Sequence, residues 1–253
     1  MSKSNNFQPK ISIITVVYNA FEFIEATIQS VINQTYPNIE YIIIDGRSSD
    51  GTLEVILKYK PNLSFFSSEP DQGIYDAMNK GLSVSTGDYI LFLNAGDKLS
   101  DNTSISKIFQ REKADIYYGK VSLIDSKGVI LGERKLKPPE VLTWKSFRWG
   151  MLVSHQAFIP KRILTQNFSL NYKISSDIDW CINCIKKAKL ITNTHQTITQ
   201  YLVGGKSRKN TILSWKERFL IMHKHYGLLP TFGFHFLIIF RFLGYFLISG
   251  KLD

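Results

Sequence analysis

At 253 residues and 44% hydrophobic, the chain can bury one sizeable core, which favours one α/β unit with appendages over two equal domains. Two cysteines give no disulfide framework, and the formal net charge of +10 is uneven: residues 1–100 carry 7 Lys/Arg against 11 Asp/Glu, the remainder 24 against 10. Such a balance suits an anionic partner, but no helix-turn-helix, zinc-finger or RRM-like pattern accompanies it, which argues against nucleic acid.

In chain order, the polar opening MSKSNNFQPK reads as a disordered N-terminus over residues 1–10. It lacks an apolar leader and, with the low cysteine content, points to a cytoplasmic location. ISIITVVYN reads as a strand, followed by an amphipathic helix over 21–34 in which Phe21, Ile24, Ile28, Val31 and Ile32 recur near helical spacing. YIIID is a second strand, and its turn from Asp45 to Thr52 opens a second helix. A helical DQGIYDAMNKG segment then precedes the strand of GDYILFLNAGD. The apolar runs end in clusters of Asp, Asn, Gly and Ser, which places their chemistry at the carboxyl edge of a parallel sheet, where ligands bind.

Segment 103–113 reads as a helix, and 116–124 with 128–131 as a hairpin around Asp125-Ser126-Lys127-Gly128. Pro138-Pro139 breaks the chain before the aromatic stretch WKSFRWGML. A helix over 177–189 would bury Ile178, Cys181, Ile182, Ile185 and Ala188, and 210–226 reads as a further amphipathic helix. Pro230 then introduces an apolar tail over 228–248.

TVVYNA (15–20), DGRSSDGT (45–52), DQGIYDAMNKG (71–81), GDYILFLNAGD (87–97), SHQAF (154–158) and SSDIDW (175–180), in this order, resemble the inverting, nucleotide-sugar-dependent glycosyltransferases of family 2. The resemblance covers residues 11–205. It implies a GT-A fold: an α/β, Rossmann-like, mostly parallel central sheet flanked by helices. Residues 11–97 would be its nucleotide-binding half, 98–205 its acceptor-side half, and 206–253 a basic, aromatic, amphipathic helical extension.

By resemblance, the donor site would draw on Thr15, Val17, Tyr18 and Asn19, and on Asp45, Gly46 and Ser48, with Asp45 bonding a uracil-like base. Read without the family, Asp45 and Asp50 are ordinary turn and helix-cap residues. Asp76 and Asn79, three apart on one helical face, would reach ribose, phosphate or donor sugar; the plain alternative is a solvated face with Ile74, Ala77, Met78 and Leu82 packed inward. The family's metal-binding Asp-x-Asp is replaced here by Asn94-Ala95-Gly96-Asp97. Asn94 and Asp97 remain as oxygen ligands for Mg²⁺ or Mn²⁺, enough when diphosphate and water complete the shell.

An inverting displacement needs a base opposite the leaving group. Asp177 matches the family's base, with Asp179 as second candidate and an N-cap as the plain reading of Asp177. His155, Gln156 and Trp180 are placed on the acceptor side, although His155 also reads as a hydrogen-bonded core residue. Gly204-Gly205-Lys206-Ser207 is either a loop over the diphosphate or a basic surface turn. Cys181-Ile-Asn-Cys184 lies on an apolar helix face and lacks a second ligand pair, and His223 and His225 fall on different faces, so neither pair reads as a metal site.

Lys206, Arg208, Lys209, Lys216, Arg218 and Lys224 precede the apolar tail, a pattern that fits an in-plane anchor on an anionic membrane surface. The alternative is a helix docked on the domain or on a second subunit of an oligomer. Because every candidate site residue precedes 206, the tail is expected to localise the enzyme without building its active site. The overall expectation is transfer from a nucleotide-sugar donor, probed first as a UDP-sugar, to a glycan or lipid-linked glycan at the inner face of a bacterial cell membrane, in surface polysaccharide biosynthesis. A nucleotidyltransferase would need a basic, Gly-rich turn that VVYNAFEF lacks; a non-catalytic nucleotide-sugar-binding or scaffold protein is the reading that LNAGD keeps open.

Overall fold

All seven residues of β1 (Ile11–Val17) are buried, as an apolar run must be when helices cover both faces of a parallel sheet. In the computed structural model, which describes residues 8–204 and 211–237, β1 pairs in parallel with β2 (Ile39–Asp45) and β4 (Tyr89–Phe92). With β3 (Phe65–Ser68) beside β2, the order is β3-β2-β1-β4. The register sets Val17 against Asp45 and Asp45 against Ser68, so three strands end in one row.

Alternation along the strands divides the core. Ile13, Val17, Tyr41 and Ile43 pack with α1 (Phe21–Ile32) and α2 (Thr52–Lys58). Ile14, Val16, Ile42 and Ile44 pack with α3 (Ile74–Val84) and α5 (Ser176–Lys187), between which the chain forms β5 (Lys98–Leu99), α4 (Ser104–Phe109), β6 (Ile116–Ile124), β7 (Ile130–Glu133) and β8 (Phe158–Pro160). β9 (Ile191–Leu202) follows α5, and the second sheet runs β5-β9-β6-β7 with β8 also on β6. Its β6–β9 pair is parallel and the others antiparallel. The architecture is the expected α/β one, with a mostly parallel central sheet flanked by helices.

Local departures have local causes. Pro9 accepts a hydrogen bond from the Tyr36 hydroxyl at 2.6 Å, and Lys10 Nζ lies 2.7 Å from Glu40 Oε1, so the N-terminal disorder expected over 1–10 does not extend to these two; residues 1–7 lie outside the described residues. WKSFRW forms a 3-10 helix, Trp144–Trp149, closed by a Thr143/Ser146 capping box. Residues 228–237 are helical through Pro230, whose missing N–H falls in the first turn, where no intrahelical acceptor waits.

Trp180 corrects an expectation. It is buried, stacks on Phe168 at 4.9 Å, meets Phe92 and Phe158 edge-on and donates its indole N–H to Gln166 O at 2.8 Å, so it belongs to the core and not to an acceptor wall. Cys181 and Cys184 are buried beside it, and burial pushes the Cys184 thiol up to about 12.

The C-terminal helix α6 (Thr211–Tyr226) is part of the domain. Glu217 is buried and accepts the backbone N–H groups of Lys173 at 2.7 Å and of Ile174 and Ser175 at 2.9 Å, the turn that launches α5. Tyr226 stacks on Trp144 with centroids 5.3 Å apart. Helix α6, within the 206–253 extension, thus packs on the segment that carries Asp177. Among the described residues no helix is long and apolar enough to cross a membrane. Residues 238–248 of the tail lie outside the described residues.

Candidate active site

The carboxyl ends of β1, β2 and β4 open into a cleft of about 1440 Å³. Val17, Tyr18, Asn19, Gly46, Arg47 and Asp71 line one end. Asn19 turns the chain with φ 48°; its Oδ1 accepts the Ser49 N–H at 2.9 Å, and its own N–H donates to Ser48 Oγ at 2.8 Å. Asp45 lies under this turn, fully buried, accepting from Ser48 N at 3.1 Å, Ser48 Oγ at 2.5 Å and Ser68 Oγ at 2.6 Å. Its carboxylate braces the turn, whereas Asp71 presents one to the cleft. A Cβ on Gly46 would collide with Asp71 Oδ2 and come within 3.3 Å of Tyr18, so the missing side chain is what lets Asp71 sit beside Tyr18.

Within the 71–81 motif the sequence reading chose Asp76 and Asn79 over Asp71, and with Thr15 these are residues that the structure does not place in the cleft lining. Thr15 is buried, its hydroxyl 3.2 Å from that of Tyr41. Asp76 accepts the Gln72 N–H at 3.0 Å and pairs with Lys80, while Asn79 exchanges two hydrogen bonds with the backbone of Phe168, at 2.7 and 3.0 Å. Helix α3 instead lines the cleft with Ile74, Tyr75, Ala77 and Met78, because helical spacing turns that stripe towards the sheet. The Asp-x-Gly turn at 71–73, in which Asp71 accepts the Gly73 N–H at 2.8 Å, was the signal in the sequence.

At the middle of the cleft, Asp97 is buried and accepts from Gln156 Nε2 at 2.9 Å and Leu202 N at 3.0 Å; burial pushes its carboxyl up to about 6 against those two bonds. Asn94 Oδ1 is buried without a hydrogen-bond partner. Position 96 is closed to a carboxylate, since a Cβ there would lie 2.7 Å from Leu202 Cδ2. Among the described residues no three His, Cys, Asp or Glu gather as a ready-made metal cage. The unpartnered Asn94 oxygen beside Asp97 nevertheless fits the sparse, oxygen-only protein share of a Mg²⁺ or Mn²⁺ shell completed by phosphate and water.

At the far end, His155 lies in a 3-10 turn, His155–Ala157, leading into β8. Its Nε2 is 3.3 Å from Asn94 Nδ2 and its Nδ1 3.0 Å from Asp177 Oδ2. With the Asn94 amide donating, the imidazole proton sits on Nδ1 and is donated to Asp177. The backbone N–H of Ile178 donates to Asp177 Oδ1 at 3.0 Å, and the Tyr75 hydroxyl, 3.2 Å from the same oxygen, also reaches Ile174 O at 2.7 Å. Asp177 thus has donors on both oxygens and still faces the cleft. Asp179 does not: burial raises its carboxyl, but His225 Nε2 at 2.6 Å and Lys224 Nζ at 2.9 Å outweigh it and hold it below the usual carboxylate range. Arg134, Lys173, Ser214 and Arg218 complete this end, the last two from α6. Of the 204–207 loop only Gly204 is among the described residues, and it lines the cleft.

Comparison with known proteins identifies the family and the fold. Residues 12–175 match the model of glycosyl transferase family 2. A PGL/p-HBAD biosynthesis glycosyltransferase of Mycobacterium bovis is 29% identical over 228 residues, covering 81% of each chain. TuaG of Bacillus subtilis, a glycosyltransferase named for teichuronic acid biosynthesis, is 26% identical over 218 residues, covering 83% of this chain and 85% of its own. Among solved structures, S. aureus TarS 1-349 in complex with UDP-GlcNAc superposes with TM-score 0.69 at 20% identity, over 85% of this chain and 64% of that one. The mannosyltransferase PcManGT of Pyrobaculum calidifontis, in complex with GDP-Man and Mn²⁺, gives TM-score 0.61 at 16% identity, over 98% of this chain and 77% of that one. The match spans both the nucleotide-side turns and the segment leading to Asp177, and the chain belongs to glycosyl transferase family 2, as a glycosyltransferase of the GT-A fold.

Proposed function

We propose that the protein moves one sugar, with inversion, from a nucleoside diphosphate donor to a hydroxyl of an acceptor glycan, with Asp177 as the base. The observation that carries this reading is the separation of roles along one cleft: a carboxylate with spare lone pairs, Asp177, at one end and the Tyr18/Gly46/Asp71 wall at the other. The flat Tyr18 ring and Asp71 suit a nucleotide base, with Val17, Asn19, Ser48 and the buried Asp45 shaping the turn that holds them. A UDP-sugar is the first donor to test, since the UDP-GlcNAc complex belongs to a structural neighbour.

Asp177 takes the proton of the acceptor hydroxyl as its oxygen attacks the anomeric carbon and the bond to the diphosphate breaks. His155 orients that carboxylate through Nδ1, and Gln156 holds Asp97 in place from the same turn. Asn94 Oδ1 and Asp97 would hold Mg²⁺ or Mn²⁺, and the cation, when bound, supplies charge neutralisation for the departing diphosphate.

The acceptor is read as a lipid-linked glycan in surface polysaccharide assembly, a reading supported by a relative named for teichuronic acid biosynthesis. Residues 228–237 support peripheral membrane contact, because Leu229, Phe232 and Phe236 are 84%, 57% and 61% exposed on one helical stripe. That stripe also suits a subunit contact. The inner face of the cell membrane is the proposed location, and residues 11–204 with α6 the catalytic unit. Release of UDP or GDP from a panel of nucleotide sugars tests the central reading: hydrolysis or transfer with none of them, in folded protein with Mn²⁺, would overturn it.

A further inference from the structure

Beside Asp177 stand two arginines to which the mechanism above gives no task. Arg134 follows β7 and Arg218 lies on α6, yet both line the cleft. Arg134 Nη1 is buried without a hydrogen-bond partner. Among the described residues no ion pair joins either guanidinium to a carboxylate, and the neighbouring acids have other partners. Asp177 bonds His155, Tyr75 and Ile178; Glu217 holds the 173–175 backbone; Asp179 holds Lys224 and His225; Glu133 lies beside Lys120 and Lys137. Lys173 adds a third cation to the same wall. Burial lowers both arginine pKa values even against the attraction of the nearby Asp177 carboxylate, the mark of cations drawn partly out of water.

Partly desolvated guanidinium groups with unspent donors are costly unless an anion completes them, and a planar N–H fork matches carboxylate or phosphate oxygens. Gly150 makes room for one of them, since a Cβ there would meet Arg218 Nη2 at 2.9 Å. Both arginines share the cleft with Asp177, whose charge acts on each of them. We infer that Arg134 and Arg218 form an oxyanion subsite that holds a phosphate or carboxylate of the acceptor next to the hydroxyl activated by Asp177. The acceptor is accordingly an anionic glycan. This rests on the donor and base assignments proposed above.

The test titrates glycerol 1-phosphate, glucuronate and neutral methyl glucoside into full-length protein saturated with UDP, at 0.15 M ionic strength so that non-specific attraction to a basic protein is screened. Glycerol 1-phosphate or glucuronate should bind and methyl glucoside should not. Arg134→Gln and Arg218→Gln should each weaken that binding about tenfold, the worth of a hydrogen bond to a charged group. UDP affinity should stay within about twofold, and this also certifies the fold; Arg218→Lys, which keeps the charge and loses the fork, should fall between. Variants that instead weaken UDP about tenfold and leave the oxyanions untouched would assign the pair to the donor diphosphate and overturn the inference. Failure of the parent protein to bind either oxyanion would overturn it as well. An Arg-dependent oxyanion site in a protein that binds neither UDP nor GDP would retire the donor reading and leave the subsite standing.

Discussion

His155 Nδ1 lies 3.0 Å from Asp177 Oδ2, and the same imidazole touches Asn94 through Nε2, so one ring links the end of β4 to the N-terminus of α5. On the proposed reading, this pair is where the acceptor proton is taken. Asp177→Asn should therefore keep UDP affinity and lose transfer by about 10²–10⁴-fold, the usual contribution of a positioned base. His155→Ala, which removes one bond to a charged partner, should lose about tenfold or somewhat more. Steady-state UDP release beside calorimetric UDP binding checks both. Transfer at the parental rate in Asp177→Asn would remove it as the base.

At the nucleotide end, two aspartates should separate affinity from stability. Asp71→Ala should weaken UDP binding by about 1.5–3 kcal/mol with an unchanged melting temperature. Asp45→Ala leaves two serine hydroxyls and a backbone N–H without their acceptor, so it should lower the melting temperature and UDP affinity together. If Asp45→Ala weakened UDP binding in a protein of parental stability, the base would contact Asp45 directly.

Helix α6 should prove indispensable. Glu217→Ala strips the acceptor from three backbone donors, that of Ser175 buried and the other two partly so, and should destabilise the fold by about 1–3 kcal/mol, the cost of a buried group left unsatisfied. Glu217→Gln keeps one oxygen and should cost less. Denaturant midpoints measure the difference, and a Glu217→Ala protein of parental stability would mean that the 173–175 turn holds itself.

Glu40 sets an acid limb. Its burial raises the carboxyl, but hydrogen bonds from Lys10, Ser12 and Thr86 outweigh this and hold it at about 2. A depressed folded pKa stabilises fully above the unfolded value, about 4.3 for a glutamate, and that stability is lost as pH falls towards 2, by up to about 3 kcal/mol. Asp97, raised to about 6, acts oppositely: its contribution to stability declines as pH rises from about 4 to 6. Denaturant unfolding of Glu40→Gln between pH 2 and 5 should show a flatter acid limb than the parent; parallel curves would remove Glu40 as its source.

For the cation, Mn²⁺ should raise UDP affinity in the parent protein, and Asn94→Ala should remove most of that increase. The loss follows from the donor set, in which Asn94 offers an unpartnered oxygen. An undiminished Mn²⁺ effect in Asn94→Ala would place the cation elsewhere.

The strand runs and their polar ends were legible in the sequence because a buried parallel strand is written locally, as consecutive apolar residues stopped by turn chemistry. The family resemblance added Tyr18, His155 and Asp177, which the structure places along one cleft. Which carboxylate faces solvent was not local information. Asp45 and Asp71, like Asp177 and Asp179, are equivalent as residue types, and their roles diverge through partners far along the chain: Ser68 for Asp45, Lys224 and His225 for Asp179. Thr15, Asp76, Asn79 and Trp180 carry the right chemistry at the right spacing, yet packing against Tyr41, Lys80, Phe168 and the aromatic core spends it elsewhere. The sequence by itself determined the sheet and the edge at which ligands meet it. Only the tertiary structure brought Arg134 and Arg218, 84 residues apart in the chain, to the same cleft, because their convergence depends on how the strand before Arg134 and the helix carrying Arg218 pack in three dimensions.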